Sequence, residues 1–364
     1  MNPYEIYCSS CNCKLSIDEV HYMSDQAFCA ECFEELTTVC YNCGTRILCS
    51  ESVGGDAEHP LCEQCYDDYY TNCDECGRLV YQEYIHYDAY NRTLCEHCMK
   101  EGPIYSYSFK PAPIFYGEEN NLFLGVELEL DNGGCDHENA NDLTKIANTE
   151  ASHIYIKTDG SLDEGFEIVT HPMTLQYHME KMPWQNLTRE ALHLGYRSHK
   201  AGTCGLHCHV NRSFFGTTIQ QQEENIAKVL FLVEKYWDEL LRFSRRTQGQ
   251  MDHWAARYGF KEKPGQVLDH AKNSSIGRYA CINLQNHQTI EFRMWRGTLK
   301  YNTLIATLQM VARLCKVAIF HSEKELQNLS WWRFVSDITE PELITYLKER
   351  RLYLNEPVET EEEE

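Results

Sequence analysis

The sequence predicts an α+β domain, with an antiparallel sheet and helices on one face, that follows a cysteine-rich N-terminal region. Fourteen of the 19 cysteines lie before residue 100. After residue 121, short segments that alternate apolar and polar residues are interspersed with long segments whose apolar residues recur at helical spacing. Strands that read as hairpins, with long helices between them, are typical of an antiparallel sheet covered by helices.

The N-terminal cysteines form a threefold repeat of two Cys-x2-Cys pairs, with a period of 32 to 33 residues. Each Cys-x2-Cys turn presents two thiolates to one tetrahedral centre, and two turns complete a closed structural zinc site. A unit of about 32 residues buries too little apolar surface to fold alone, so a metal supplies the missing stability. We therefore expect three Zn²⁺ modules, at residues 1–37, 38–70 and 71–101. Their ligands would be Cys8, Cys11, Cys29 and Cys32; Cys40, Cys43, Cys62 and Cys65; and Cys73, Cys76, Cys95 and Cys98.

The charge of this region bears on its partners. The cysteine spacing resembles that of GATA-type fingers and of the second half of LIM modules, which implies small treble-clef or ribbon-like folds. Residues 1–110 contain 19 Asp and Glu against 6 Lys and Arg, and the whole chain has a net charge of −22. Such a polyanion repels nucleic acids and anionic lipids. We expect no nucleic-acid or membrane partner, and interpret the modules as protein contacts or a stabilising cap. Cys13 and Cys49 fall outside the repeat and are expected to be spare thiols.

The remaining segments set the predicted boundaries. The first residues lack the basic and apolar regions of a secretory signal, and no run of about 18 apolar residues is present, so we expect a cytoplasmic protein without a membrane span. Residues 102–121, rich in Gly, Pro and Tyr, are predicted to be a linker or extended arm. The catalytic domain would span residues 122–354, and the acidic end, 355–364, would be disordered.

Periodicity predicts the elements of the second domain. Strands are expected at residues 122–130, 153–157, 166–170 and 205–211, and a hairpin at 278–284 and 289–295. Helices are expected at residues 174–195, 218–246 and 298–320, with a last short helix starting at Thr339-Glu340-Pro341-Glu342.

Polar residues interrupt these strands in a pattern that favours a cation and phosphate site. At a period of two, Glu127 and Glu129, His207 and His209, and Glu291 and Arg293 each share one strand face. Oxygen ligands favour Mg²⁺ or Mn²⁺, and Arg provides planar donors for a phosphoryl group. Alone, each pair is more often a solvated face or an ion pair. The same alternation in one domain makes a site the better interpretation, with Asp159, Glu167 and Arg296 as further members.

The order of these motifs resembles the amidoligase branch of the glutamine synthetase and glutamate–cysteine ligase superfamily. The matching stretches, in family order over residues 122–315, are Gly125-Val126-Glu127-Leu128-Glu129, Lys157-Thr158-Asp159-Gly160-Ser161-Leu162, Gly165-Phe166-Glu167-Ile168-Val169-Thr170, Gly205-Leu206-His207-Cys208-His209-Val210-Asn211, and Arg278-Tyr279 through Thr289-Ile290-Glu291-Phe292-Arg293. The resemblance implies a glutamine-synthetase-like domain that uses ATP and Mg²⁺ to join a carboxylate to an amine through an acyl phosphate.

The resemblance also implies roles for individual residues. Glu127, His207 and Glu291 would hold one Mg²⁺ at the ATP phosphates, and Glu129 and Glu167 would hold a second. Arg293 would stabilise the transferring phosphoryl group, with Arg278 as a second phosphate contact and Arg296 as a further catalytic candidate. Asp159 would bind or deprotonate the amine, and His209 would lie nearer the nucleotide than the metal.

Three alternatives remain at this stage. The first is a Cys/His zinc site, because Cys204 and Cys208 flank His207 and His209. An adaptor that binds partners through an inactive ligase-like domain is another, and a metal-dependent hydrolase that needs no ATP is the third. The sequence does not specify the carboxylate and amine substrates. The hypothesis for the zinc modules is that they recruit a protein or peptide substrate, or a partner enzyme.

Overall fold

The computed structural model describes residues 6–54, 59–74, 77–87, 91–96, 98, 103–119 and 121–354. The predicted ligand Cys76, the predicted disordered end 355–364 and residues 102 and 120 of the predicted linker lie outside these ranges. The chain divides into two compact units, one of residues 1–100 with 108–112 and one of residues 101–107 with 113–364.

In the N-terminal unit, a short hairpin encloses the first cysteine pair of each repeat. The residue that follows this pair adopts a left-handed backbone, at Asn12, Gly44 and Gly77 (φ 60°, 74° and 71°). Its N–H donates to the carbonyl of the first cysteine. Asn and Gly tolerate this conformation at low steric cost, which explains their presence here. The paired strands are β1 (Ile6–Tyr7) with β2 (Lys14–Leu15), β3 (His21–Met23) with β4 (Gln26–Phe28), β5 (Thr37–Val39) with β6 (Arg46–Leu48), β7 (Tyr70–Asn72) with β8 (Leu79–Tyr81), and β9 (His86–Tyr87) with β10 (Thr93–Leu94).

The second cysteine pair opens a helix in the first two repeats, α1 (Ala30–Leu36) and α2 (Glu63–Tyr69). The Cys29 sulfur accepts the Cys32 N–H, and the Cys62 sulfur accepts the Cys65 N–H, both at 3.4 Å. Each cysteine therefore caps the helix that it begins, in the place that Ser or Asp usually takes. The first two repeats therefore share one short helix after the second cysteine pair.

The second unit is built on one eight-stranded sheet. Its strands are β11 (Ile104–Tyr105), β12 (Phe123–Leu130), β13 (Ile154–Lys157), β14 (Phe166–Thr170), β15 (Met173–Thr174), β16 (Gly205–Asn211), β17 (Ile282–Asn283) and β18 (Thr289–Arg296). The order across the sheet is β11-β13-β14-β12-β16-β18-β17, and β15 also pairs with β12. All pairs are antiparallel except β11 with β13. The segment predicted to be a linker thus contributes a parallel strand to the sheet.

The two faces of the sheet differ sharply. Leu124, Val126, Leu128 and Leu130 of β12 are fully buried in the main hydrophobic core, together with residues of the covering helices. Glu127 and Glu129 alternate with them and lie on the opposite face, as the period of two predicts. The mixed helix and strand class with a multi-stranded sheet is therefore confirmed.

The helices are shorter and more numerous than periodicity predicts. The expected helix 174–195 is divided at Pro183, which lacks an N–H and disfavours helix in the residue before it. The expected helix 218–246 breaks at Tyr236, whose hydroxyl donates to the Leu329 carbonyl at 2.6 Å. The observed helices are α3 (His137–Ala147), α4 (Leu175–Glu180), α5 (Trp184–His193), α6 (Ile219–Lys235), α7 (Trp237–Ser244), α8 (Gln248–Trp254), α9 (Pro264–Lys272), α10 (Tyr301–Phe320), α11 (Glu323–Asn328), α12 (Trp331–Ser336) and α13 (Pro341–Glu349).

Helix α10 is long and apolar enough to cross a membrane by length and composition, although no such segment was expected. In the most apolar 18-residue window of this helix, 78% of the residues are buried inside the protein. This burial is typical of a central core helix, and no other helix in the described residues meets the same criteria.

Asp131, at the end of β12, fixes the loops that lead into β14 and β16. This buried carboxylate accepts the Glu164 N–H at 2.7 Å, the Asp163 N–H at 3.2 Å and the Thr203 hydroxyl at 2.7 Å. Although burial opposes it, the hydroxyl of Thr203 and these backbone N–H groups hold the pKa of Asp131 below its usual value. Gly165 follows Glu164 and lies very close to β12. A Cβ at this position would lie 1.9 Å from the Leu130 carbonyl oxygen.

We predict that Gly165→Ala destabilises the second unit by about 3 kcal/mol, because the obstruction is backbone and cannot turn aside. Gly160→Ala is the matched control, since a Cβ at that position meets nothing within 4 Å. All six tryptophans lie between residues 184 and 332, so urea unfolding followed by tryptophan fluorescence reports on this unit. Equal stability of the two variants would contradict the close approach.

Candidate metal and catalytic sites

The first group of candidate metal ligands lies at the centre of the sheet. Glu127 of β12 pairs across the strands with His207 of β16, and Glu291 comes from β18. One ligand atom from each of these residues lies within 4.8 Å of the other two. His207 Nδ1 is 3.2 Å from Glu127 Oε2 and 3.8 Å from Glu291 Oε1. These three residues, called the first acidic group below, are the set expected to hold one Mg²⁺.

The second acidic group consists of Glu129, Asp159 and Glu167, whose ligand atoms also lie within 4.8 Å of one another. Glu129 and Glu167 are opposite each other on β12 and β14, and Asp159 follows β13. The Ser161 N–H donates to Asp159 Oδ1 at 2.7 Å and holds this carboxylate in its turn. The sequence assigns Asp159 to the amine, and in the structure its carboxylate lies beside Glu129 and Glu167, the residues predicted to hold the second ion.

The two acidic groups touch through His207, whose Nε2 atom is 3.7 Å from Glu129 Oε1. The His207 side chain can lie over the start of β16 because residue 205 is glycine. A Cβ on Gly205 would lie 2.7 Å from His207 Nε2. The Gly205 N–H also donates a short hydrogen bond to Glu129. The His207 imidazole therefore lies beside carboxylates of both groups, and the start of β16 holds Glu129.

Lys157 supplies a buried positive charge that the sequence analysis missed. Its Nζ atom is 2.8 Å from Glu167 Oε1, and both side chains are almost fully buried. Burial opposes the charged form of Lys157, but Glu127 and Glu167 raise its pKa well above the usual value. Burial and the charge of Glu127 raise the pKa of Glu167, against the attraction of Lys157. The sequence signal that could have identified Lys157 was its position at the end of a strand expected to lie near Glu167.

Arg293 provides the second positive charge, beside the first acidic group. Its Nη1 atom forms an ion pair with Glu291 Oε1, and Asn283 donates to Glu291 Oε2 at 2.8 Å. The buried Nε atom of Arg293 has no hydrogen-bond partner. Although burial opposes it, His209 lowers the pKa of Glu291, with further help from Arg293. The guanidinium thus offers an N–H donor at the carboxylates.

A β-bulge in β18 sets the direction of these side chains. Leu206 lies opposite Trp295 and Cys208 opposite Phe292, so two residues of β18, Arg293 and Met294, face the single residue His207. A bulge of this kind redirects the side chains that follow it. Trp295 consequently turns into the core, where it is 1% exposed, instead of sharing the face of Glu291 and Arg293.

The other predicted residues lie at different distances from the acidic groups. His209 Nε2 is 3.3 Å from Glu127 Oε1, so this histidine contacts the first acidic group. Arg278 is exposed and donates to the hydroxyls of Tyr107 and Tyr279 at 2.9 and 2.8 Å. Lys157 lies over the ring of the same Tyr107, so this tyrosine connects Arg278 to the second acidic group. Arg296 donates to backbone carbonyls of His199 and Arg245, and the structure does not bring it into either group.

The alternative zinc site at Cys204 and Cys208 does not form. Cys208 is fully buried in the core, on the face opposite His207 and His209. Cys204 contacts Thr203 and the Arg197 carbonyl, and burial raises the pKa of its thiol to about 12. Neither cysteine joins a group of potential metal ligands in the part of the chain that the structure describes.

The N-terminal cysteines gather in three clusters, as the repeat predicts. Within each cluster the sulfur atoms lie within 4.8 Å of one another: Cys8, Cys11, Cys29 and Cys32; Cys40, Cys43, Cys62 and Cys65; and Cys73, Cys95 and Cys98. Although burial opposes it, N–H groups of Cys43, Cys62 and Asn42 lower the pKa of Cys40 to about 6. The pKa of Cys8 is likewise lowered to about 6, because N–H groups of Cys11, Cys29 and Ser10 outweigh the effect of burial. Four thiolates at this spacing fit a tetrahedral zinc ion.

We predict that Cys40→Ser removes about one equivalent of zinc per chain, because three remaining thiolates leave the tetrahedral site open. Metal content would be measured by mass spectrometry of the purified full chain. Cys49→Ser is the matched control, since this exposed thiol belongs to none of the clusters. A chain whose zinc content is the same in both variants would contradict the assignment of this cluster.

One protein family matches part of the second unit. No curated protein matches the chain. A family model does match residues 145–315, a range that contains Asp159, Glu167, His207, Glu291 and Arg293. The matched segment begins after β12, so Glu127 and Glu129 lie outside it. Over residues 145–315 the chain therefore carries the family signature described as "Putative amidoligase enzyme".

Proposed function

We propose that this protein is an ATP- and Mg²⁺-dependent ligase that joins a carboxylate to an amine. The observation that carries the proposal is the pair of touching acidic groups with Arg293 and Lys157 beside them. Two adjacent cation sites flanked by permanent positive charge suit the transfer of a phosphoryl group. The family match over residues 145–315 supports amide-bond formation as the reaction.

The donor atoms of both groups fit Mg²⁺. Five of the six residues offer carboxylate oxygens, which hard cations prefer, and the sixth is His207. Glu127, His207 and Glu291 would hold one ion, and Glu129 and Glu167 would hold the other, with Asp159 beside them. When bound, these ions would neutralise charge on the phosphate oxygens of ATP.

The first chemical step would form an acyl phosphate. An oxygen of the substrate carboxylate attacks the γ-phosphorus of ATP, the bond to the bridging β–γ oxygen breaks, and ADP leaves. Arg293 would donate its buried, unpaired Nε–H to the transferring group, where negative charge accumulates on the oxygens. Arg278, at the exposed rim with Tyr107 and Tyr279, is proposed as a further phosphate contact.

The second step would form the amide. The amine nitrogen attacks the acyl carbon, the bond from carbon to the phosphate oxygen breaks, and inorganic phosphate leaves. The nitrogen must lose a proton, and Asp159, the least buried carboxylate of the second acidic group, is proposed to accept it. Lys157 would orient Glu167 through their 2.8 Å contact.

The zinc modules are proposed to contact a protein or peptide partner. Their net negative charge suits a basic partner, and several aromatic side chains of this unit are exposed, including Tyr22 and Tyr41, each 63% exposed. The Cys40→Ser variant tests this role. Loss of activity on a protein substrate with retained activity on free amino acids supports it, and equal retention of both activities argues that the modules are only structural.

We predict that the full chain releases ADP and phosphate from Mg-ATP when it is supplied with a suitable carboxylate and amine. Glu291→Gln should lower this turnover by at least about a hundredfold, because a metal ligand and the partner of Arg293 are lost together. A panel of amino acids and short peptides would serve as substrates in a phosphate-release assay.

Glu234→Gln is the matched control for this assay. Glu234 is also buried and ion-paired, to Arg257 at 2.8 Å, but it belongs to neither acidic group. Turnover that survives Glu291→Gln unchanged would contradict the proposed site. Product formed without nucleotide consumption would indicate a hydrolase instead of a ligase.

A further inference from the structure

Tyr107 lies in the segment that connects the cysteine-rich region to the first long strand of the sheet. This segment precedes the residues that match the family, and its sequence predicts a linker. In the structure it is anchored to the second unit, because Ile104 is buried in the core and Tyr105 pairs with Lys157 in the parallel register of β11 and β13. The Tyr105 carbonyl also accepts the Thr158 N–H at 2.9 Å. Tyr107 therefore follows directly on a fixed stretch of backbone at the edge of the sheet.

The ring of Tyr107 meets a buried cation beside the second acidic group. Lys157 Nζ lies 5.3 Å from the ring centroid, a distance at which the negative face of an aromatic ring attracts a cation. The same Nζ atom is 2.8 Å from Glu167 Oε1. The Lys157 side chain is only 8% exposed, whereas Tyr107 is 52% exposed. The tyrosine therefore stands where the second acidic group meets solvent.

The hydroxyl of Tyr107 contacts a second cation, Arg278. Arg278 Nη1 donates to this hydroxyl at 2.9 Å, and Arg278 Nη2 donates to the Tyr279 hydroxyl at 2.8 Å. The guanidinium also lies over the Tyr279 ring, 4.9 Å from its centroid. Each terminal nitrogen of the guanidinium carries a further N–H that can donate to a ligand. The two tyrosines thus fix the orientation of the guanidinium and leave part of it open.

Arg278 has no carboxylate counter-charge in this position. It is exposed, and no carboxylate among the described residues forms an ion pair with it. Lys157, the other cation on the same tyrosine, is by contrast paired with Glu167. In a chain with a net charge of −22, a guanidinium without an ion pair at the rim of the charged face suits a negatively charged ligand.

A guanidinium that is already ordered binds an anion more tightly than a mobile one. A flexible arginine side chain loses rotamer entropy when a ligand immobilises it. The hydroxyls of Tyr107 and Tyr279 impose part of that order before any ligand arrives, so less of this entropy is lost on binding. Tyrosine suits both contacts at residue 107, because its ring attracts Lys157 and its hydroxyl reaches Arg278. Phenylalanine would keep the first contact and lose the second.

We propose that Tyr107 is a positioning residue, which holds Arg278 in the orientation that meets the phosphate chain of ATP on the side of the second acidic group. This inference rests on the proposed function, in which Arg278 is a phosphate contact. Tyr107 acts through Arg278 and not on the reacting atoms. The site then includes a residue from the connecting segment, ahead of residues 145–315, the part of the chain that matches the family.

The test is a double-variant cycle, read by calorimetric titration of the full chain in Mg²⁺ with an ATP analogue whose β,γ-bridge is a non-hydrolysable imido group. Tyr107→Phe should weaken binding about threefold to tenfold, because one hydrogen bond that orders Arg278 is lost. Arg278→Gln should weaken binding by at least as much. In the Arg278→Gln background, Tyr107→Phe should cause no further loss, since no guanidinium is left to position.

Inorganic tripolyphosphate serves as a second probe, because it carries the phosphate chain without the nucleoside. Tyr107→Phe should weaken the binding of tripolyphosphate by the same factor as the binding of the ATP analogue. A loss confined to the ATP analogue would overturn the proposal, since Arg278 would then contact the nucleoside and not the phosphates.

Tyr116→Phe is the matched control. Tyr116 is also a partly exposed tyrosine of the second unit, and its hydroxyl donates to the Ser152 carbonyl at 3.0 Å, outside both acidic groups. This variant should bind both probes as wild type does. A Tyr107→Phe variant that binds like wild type overturns the proposal. So does a Tyr107→Phe change that weakens binding equally with and without Arg278, as a merely structural residue would.

The same titrations separate this inference from the proposed function. Wild-type protein that binds neither probe contradicts both. If wild type and Tyr107→Phe bind the probes equally well, only the inference is contradicted. Binding that depends on Tyr107 and Arg278, in a chain that never releases phosphate from ATP, supports the inference and contradicts the ligase.

Discussion

Four buried or half-buried glutamates crowd onto one face of the central sheet, and the rest of the second unit is arranged to tolerate them. Carboxylates at such short distances repel one another strongly where water is excluded. Lys157 and Arg293 provide the counter-charge, through contacts such as the 2.8 Å pair of Lys157 with Glu167, and the histidines of β16 lie beside the same carboxylates. Removing one partner of a buried pair of this kind typically costs 3–5 kcal/mol. An arrangement so costly to keep is best explained by cations that bind there.

The fold meets this constraint by separating the two faces of the sheet completely. The core side of β12 and β16 is apolar without exception from Leu124 to Leu130 and from Leu206 to Val210. Asp131 and Gly165 hold the strand ends in register, and the bulge in β18 directs Arg293 to the charged face while Trp295 enters the core. A slip of one residue in the register of β12 would exchange its two faces and bury Glu127 and Glu129 in the apolar core.

Alternation was enough to predict β12, β13, β14, β16 and β18 and the face that Glu127, Glu129 and His207 share, because both depend only on the period of two. The strands β11 and β15 were not predicted, and the predicted strand 278–284 is observed only as β17 (Ile282–Asn283). The Cys-x2-Cys repeat likewise predicted the cysteine clusters. The break at Tyr236 and the bulge in β18 were not predictable, since each depends on contacts with residues distant in sequence. Lys157 was missed for the same reason: its neighbour Glu167 is brought to it by another strand. The turn that holds Asp159 brings it beside Glu129 and Glu167, a proximity that the spacing along the chain did not predict.

The central claim is that the two acidic groups bind divalent cations, and direct counting of bound Mn²⁺ by electron paramagnetic resonance tests it most simply. With the zinc modules already loaded, we expect about two Mn²⁺ ions per chain, one for each acidic group. Glu127→Gln should weaken one of these sites by at least about tenfold, and Glu234→Gln should leave both unchanged. Wild-type protein that binds no Mn²⁺ beyond the level of a Glu127→Gln, Glu167→Gln double variant would contradict the account.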